Sequence, residues 1–109
     1  MVKSDKIILR KISDEIFVIN NIVGDLTFED FVAGEEKKRS VAMTLINIGE
    51  LGSNLKKKYP EYSDVLPLRK MIDLRNIVAH EYQKIEFAQI WKLIKNELQE
   101  LKNAIEKLL

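Results

Sequence analysis

An all-α fold, a four-helix up-and-down bundle with one additional short helical turn, is what the sequence predicts. Apolar residues recur at intervals of three and four along almost the whole chain, which leaves strands almost nowhere to go. The joins between the periodic stretches are short, and no internal repeat or low-complexity tract interrupts them. At 109 residues the chain suits one domain, residues 1–109, built around one core.

The first helix is expected from about Asp5 to Val23, with Ser4 as its N-cap and Ile8, Ile12, Ile16, Ile19 and Val23 as its buried stripe. Gly24 stops it. Thr27 and Asp30 form an approximate capping box that opens the short turn FEDFVA, which Gly34 interrupts. A long second helix follows from Glu35 to about Lys58, with the stripe Val41, Leu45, Ile48, Leu51 or Gly52, and Leu55. Gly49 and Gly52 weaken this helix one turn apart, which points to another backbone packing closely there. Pro60 and Pro67 bracket a loop, YPEYSDVLP, and Pro67 suits the start of a third helix over Leu68 to His80. A fourth helix is expected from about Glu86 to the C-terminus, with the stripe Phe87, Ile90 or Trp91, Ile94, Leu98, Leu101, Ile105 and Leu108.

Composition removes whole classes of chemistry. The chain has no cysteine, which excludes disulfides, thiol nucleophiles and cysteine-ligated metals and fits a reducing cytoplasm. The N-terminal MVKSDKIILRKISDE breaks its apolar residues with charges, so neither a signal-peptide core nor a membrane span can be drawn through it. Lys plus Arg number 18 against 17 Asp plus Glu, a net charge of +1. Any nucleic-acid contact must therefore be local. The one histidine, His80, cannot make a multi-histidine metal site or an acid/base pair within one subunit; two histidines would need two subunits.

The third helix carries a misplaced charge. On an ideal wheel of about 100° per residue, Leu68, Met71, Ile72, Val78, Ala79 and Tyr82 gather on one side with Arg75 in their midst. A guanidinium there needs an acid, carbonyl groups or an anionic ligand such as phosphate. The plain structural alternative pairs it with a carboxylate from another helix, Glu50 being the candidate. His80 lies on a different side, one turn from Asn76, whose amide can hold a ring nitrogen; equally, His80 is simply a histidine at a helix C-terminus. The two residues stand about 140° apart on a regular helix. Either the helix loosens near His80, or a second copy packs alongside so that two Arg/His sets line one cleft. Leu74 and Ile77 add apolar surface outside the main stripe, consistent with a subunit interface.

Arg75, Asn76, His80 and Tyr82, in RNIVAHEY, resemble the signature of the HEPN superfamily, and the tyrosine extension resembles its HepT branch, the toxin half of MNT/HepT toxin-antitoxin systems. INIGELG, with Gly49 and Glu50, resembles the IGEA segment of that branch, and Trp91 matches its tryptophan early in the final helix. Glu86 stands where the family tends to aspartate, and Gly52 where alanine is usual.

The resemblance implies a HEPN-like bundle and a cytoplasmic, metal-independent endoribonuclease toxin. It would act as a homodimer or higher oligomer, with no cofactor and no membrane, on an RNA substrate bound in an interface cleft. Arg75 and His80 would be catalytic and Asn76 and Glu50 supporting. The antitoxin partner would be a minimal nucleotidyltransferase that adds AMP to Tyr82; the plain alternative for this tyrosine is a core-packing ring. The alternative function is a non-catalytic HEPN binding module that partners a nucleotidyltransferase and holds a nucleotide or substrate. Lys56, Lys57, Lys58, Arg69 and Lys70 provide either a basic rim for RNA or a solvated helix end.

Overall fold

A computed structural model describes residues 4–109. In chain order it contains α1 (Ser4–Val23), α2 (Phe28–Ala33), α3 (Glu35–Lys58), α4 (Leu68–His80), α5 (Phe87–Lys95) and α6 (Glu97–Leu108), with 3-10 turns at Pro60–Asp64 and Tyr82–Lys84. There is no strand among the described residues. Nor, among them, is any helix long and apolar enough to cross a membrane. The reading of the N-terminal stretch includes residues 1–3, which lie outside the described residues.

The expected stripes of α1 and α3 lie in the core, whereas Ile72, Phe87 and Leu108 of the later stripes are only half-buried and Ala79 is exposed. Ile8, Ile12, Ile16, Ile19 and Val23 of α1 are buried together with Val41, Leu45, Ile48 and Leu55 of α3 and Ile94, Leu98, Leu101 and Ile105 of the C-terminal helices. α3 is central, packing on α1 along one side and on α4 along the other, while α6 returns against α1. Residue pairs set the directions. Ser4 pairs with Tyr59 at the end of α3 and Glu15 accepts from Asn47, while Lys6 reaches the Leu108 carbonyl and Asn20 bonds Gln99, so α1 runs antiparallel to both α3 and α6.

Local signals account for the boundaries. Gly24 ends α1 at φ +48°, a conformation that L side chains rarely adopt. Thr27 and Asp30 form a reciprocal capping box at α2, with the Asp30 N–H donating to Thr27 Oγ1 over 3.1 Å. Phe31 of α2 is fully buried, its ring 5.4 Å from that of Trp91 and 6.0 Å from that of Phe87. The short turn therefore anchors an aromatic cluster under the start of α5.

Three boundaries differ from expectation. Ser4 lies inside α1, and its hydroxyl pairs with that of Tyr59 instead of capping the helix. The loop between the two prolines contains an ordered 3-10 turn, held by Tyr62 Oη donating to Asp5 over 2.7 Å. The final helix breaks at Asn96 (φ −116°, ψ −75°) into α5 and α6. There the Gln99 amide donates 3.1 Å to the Ile94 carbonyl and 2.8 Å to Asn20 of α1. A side chain thus serves a backbone acceptor at the break, and the same side chain ties the break to α1.

The close approach that Gly49 and Gly52 signal is between α3 and α4. A Cβ at Gly49 would collide with Arg75 Cβ and lie 2.8 Å from Arg75 Cγ and 2.9 Å from the Met71 carbonyl oxygen; at Gly52 it would lie 3.1 Å from Met71 Cε. Met71 is a flexible neighbour, but the backbone carbonyl facing Gly49 is not. Gly49→Ala is expected to cost about 1–3 kcal/mol through overpacking, more than the gain in helix propensity of about 1 kcal/mol. Gly52→Ala is expected to be tolerated better. Thermal melts of the two variants check the order.

The Asp5–Tyr62 bond gives a pH signature. The Tyr62 hydroxyl holds the Asp5 carboxyl below its ordinary value of 3.8, and Asp5 in turn pushes Tyr62 up to about 12. A depressed carboxyl contributes stability above its unfolded pKa, and that contribution is lost as pH falls through the folded value. A raised phenol contributes below its unfolded value, and loses it as pH rises through the folded one. Tyr62→Phe is therefore expected to flatten the dependence of melting temperature on pH below about pH 4 and above about pH 10. Melts across that range measure it.

Candidate functional site

α4 is regular from Leu68 through His80 and ends only at Glu81 (φ −130°, ψ 31°), whose N–H still donates to the Ile77 carbonyl. Leu68, Met71 and Val78 are buried against α3. Arg75 emerges beside this buried line, its side chain 29% exposed. Its Nε donates to Glu50 Oε1 over 2.6 Å, and its Nη1 donates to Asn76 Oδ1 over 2.9 Å. The expected Arg75–Glu50 pair is present. Nη2 is left without a protein partner among the described residues. An arginine fixed at two nitrogens with a third free is ready to meet an outside oxyanion.

Asn76 takes a different partner from the expected one: its amide oxygen accepts from Arg75, and among the described residues it makes no hydrogen bond to the imidazole. His80 is the last residue of α4 and is exposed. Because the helix does not loosen before Glu81, Arg75 and His80 keep their separation of about 140° around the axis. One of the two expected routes to convergence is thereby removed within a single chain.

Tyr82 lies beyond α4, in the 3-10 turn Tyr82–Lys84, so placing it on the same helix side as Arg75 is corrected. Its ring packs edge-on to Phe87, with centroids 5.9 Å apart, and the Arg39 guanidinium carbon lies 5.4 Å from its centre. The hydroxyl is buried without a hydrogen-bond partner among the described residues.

Arg39 and Met43 are residues that the motif did not identify. Arg39 is tethered to Glu35 over 3.2 Å, and the Met43 side chain is largely exposed. Both were within reach of helical spacing, since 39, 43, 46 and 50 fall on one face of α3. The basic rim is less organised. Arg69 pairs with Asp73 over 3.4 Å, and Lys56, Lys57 and Lys58 occupy the last turn of α3, where cations complement the helix dipole. Among the described residues no cluster of His, Cys, Asp and Glu has the arrangement to hold a metal ion.

Comparison with known proteins agrees with this architecture over nearly the full length. A family model described as Ribonuclease HepT-like matches residues 12–108. A protein named probable ribonuclease HepT from Thermococcus cleftensis is 29% identical over 108 residues, covering 99% of this chain and 98% of its own. A candidate RNase of Caldanaerobacter subterraneus subsp. tengcongensis is 31% identical over 93 residues, 85% of this chain and 82% of its own. One from Methanocaldococcus jannaschii is 27% identical over 82 residues, 75% of each chain. No solved structure gives a significant match.

The ion pair is half solvated, since the Glu50 side chain is 55% exposed. Arg75→Ala keeps the Cβ that packs on Gly49 and leaves a carboxylate that water can reach. Arg75→Ala and Glu50→Ala are each expected to change stability by less than about 1 kcal/mol. Melts followed by circular dichroism test this; a large loss in Arg75→Ala would make the residue a structural one.

Proposed function

The chain belongs to the ribonuclease HepT-like family, and we propose that it is a metal-independent endoribonuclease toxin whose active cleft is shared by two copies. The observation that carries the reading is the geometry of Arg75, held by Glu50 and Asn76 with one amino group unengaged at the surface of α4.

The proposed reaction uses the substrate's own 2′-hydroxyl. Its oxygen attacks the adjacent phosphorus and loses its proton; the bond to the 5′-oxygen breaks, and that oxygen takes up a proton. The products are a 2′,3′-cyclic phosphate and a 5′-hydroxyl. Arg75 lies against the phosphate and stabilises the negative charge that grows on its oxygens, while Glu50 and Asn76 keep the guanidinium in place. A histidine titrates near neutral pH and suits the proton transfers. Since Arg75 and His80 diverge on one unbroken helix, each Arg75 works with His80 of the partner subunit.

The outer line of α4 supplies a surface for that two-fold. Ile77 is 50% exposed, next to His80 and Asp73 on the wheel, and Met43 of α3 adds further exposed apolar surface.

For control, Tyr82 is the proposed site of AMP addition by a nucleotidyltransferase antitoxin. An added phosphate and nucleoside would compete with RNA for the cationic cleft by charge and by bulk. Because the hydroxyl is buried, the turn Tyr82–Lys84 must open for the transfer. The rival reading is a non-catalytic binding module that partners a nucleotidyltransferase and holds a nucleotide or substrate, which the pairing of Arg75 with Glu50 would also suit.

Incubation with single-stranded RNA in EDTA is expected to yield fragments with cyclic phosphate ends. Arg75→Ala and His80→Ala are each expected to lower the rate roughly a hundredfold or more. Full activity in His80→Ala would remove it from the chemistry, and binding without cleavage by the native chain would favour the rival. On co-expression with a cognate nucleotidyltransferase, intact-protein mass spectrometry is expected to show additions in whole AMP units, absent in Tyr82→Phe. Additions mapped to Tyr59 or Tyr62 would take Tyr82 out of the regulatory site.

A further inference from the structure

Beside the Arg75 ion pair lies a recess that the cleavage chemistry does not use. α3 and α4 run antiparallel, and successive rungs join Gly52 to Met71, Glu50 to Arg75, and Arg39 to Tyr82. Between the last two rungs the helices leave a hollow of about 260 Å³, floored by Ala42, Ile46, Val78 and Ala79 and rimmed by Arg39 and Tyr82. This volume is a little below the range of about 300 Å³ upward typical of whole small ligands. It suits one flat ring system better than a complete nucleotide.

Two small residues create the space. Ala42 and Ala79 face it from opposite helices, and a longer side chain at either would fill it. Met43, its side chain 59% exposed, also borders the hollow, where an unbranched thioether can adapt to what enters. Arg39 already places its guanidinium over an aromatic face at 5.4 Å. Its side chain remains 64% exposed, so it can meet a second π-face. Ala79 follows Arg75 by four residues, about 6 Å along the helix and about 40° around it. The apolar floor therefore begins one turn from the proposed phosphate position.

Resting on the ribonuclease reading above, we propose that this recess is a nucleobase subsite. It takes the base of the nucleotide adjoining the phosphate held at Arg75, in single-stranded RNA. The base lies on the floor of Ala42, Ile46, Val78 and Ala79, with the Arg39 guanidinium at its edge or outer face. The chemistry at the ends of the hollow selects this occupant over an apolar segment of another protein: a guanidinium stands at each end, Arg39 anchored by Glu35 and Arg75 by Glu50, with further N–H groups directed outward, and a strand brings anionic phosphates beside each flat, apolar base. A duplex is excluded, since its bases are stacked and cannot enter.

The test is a titration of the isotope-labelled protein with a trinucleotide that 2′-O-methylation makes resistant to cleavage. Versions with an abasic residue on one or the other side of the central phosphate are titrated alongside. The intact ligand is expected to shift the amide signals of Ala42, Ala79 and Tyr82 and to bind about tenfold tighter than one abasic version. Ala79→Leu is expected to bring that ratio close to one. Arg39→Ala, at an exposed position, is expected to reduce it as well and guards against a folding defect in the first variant. Equal affinity for intact and abasic ligands, no binding of either, or a ratio unchanged in both variants overturns the proposal. So do recess signals that respond to protein concentration alone, since a second copy would then fill the hollow. Cleavage of unmodified RNA is scored separately. A base preference without cleavage keeps the subsite and rejects the nuclease; cleavage without a base preference does the reverse.

Discussion

The contact between α3 and α4 at Gly49 sets the geometry of everything around the site. The missing side chain lets the Met71 carbonyl and the base of the Arg75 side chain approach α3 more closely than any Cβ would permit. That one approach fixes the sliding register of two antiparallel helices, and the other rungs follow from it. Glu50, the next residue on α3, meets Arg75 at 2.6 Å. Further along, Ala79 comes opposite Ile46 across the hollow, and Arg39 reaches Tyr82. α4 stays a regular helix through His80, and on such a helix Arg75 and His80 stand about 140° apart.

A second constraint acts from the far end of α4. Phe31, locked by the capping box of α2, supports Phe87, and Phe87 supports the Tyr82 ring. A chain of ring contacts thereby links the six-residue α2 to the turn after α4, in which the Tyr82 hydroxyl is buried. Burying a hydroxyl without a partner is unfavourable. Such a turn is held by its ring contacts and not by its polar atom, and movement of the turn would return that atom to water.

Much of this was legible in the sequence because it is local. The bounds of α3 and α4, the stop at Gly24 and the Thr27 cap each depend on residues a few positions apart, and the expected stripes of α1 and α3 are the buried ones; of the α4 stripe Leu68, Met71 and Val78 are buried, while Ile72 is half-buried and Ala79 exposed. The two glycines signalled a close approach, and Arg75, isolated in an apolar stripe, signalled its need for Glu50. What the sequence concealed depends on distant partners. The break at Asn96 is tied to Asn20 through Gln99, which no helical period in the last stretch records. The wheel that carried Tyr82 onto the face of Arg75 assumed a helix continuing past Glu81, whereas contacts with Phe87 and Arg39 turn the chain there. Arg39 shares a helical face with Glu50, but nothing in its own neighbourhood marks it as part of a recess.

Under the proposed function, an unbroken α4 keeps Arg75 apart from His80 within one chain, so that a working site would draw one residue from each of two copies. Subunit complementation tests it most directly: Arg75→Ala and His80→Ala chains are unfolded together, refolded as a mixture, and assayed on single-stranded RNA in EDTA beside each variant alone. The separate variants are expected to be inactive and the mixture to regain cleavage, because each mixed dimer contains one intact Arg75 facing one intact His80. A mixture as inactive as its components, although mass measurement shows mixed dimers present, would contradict it.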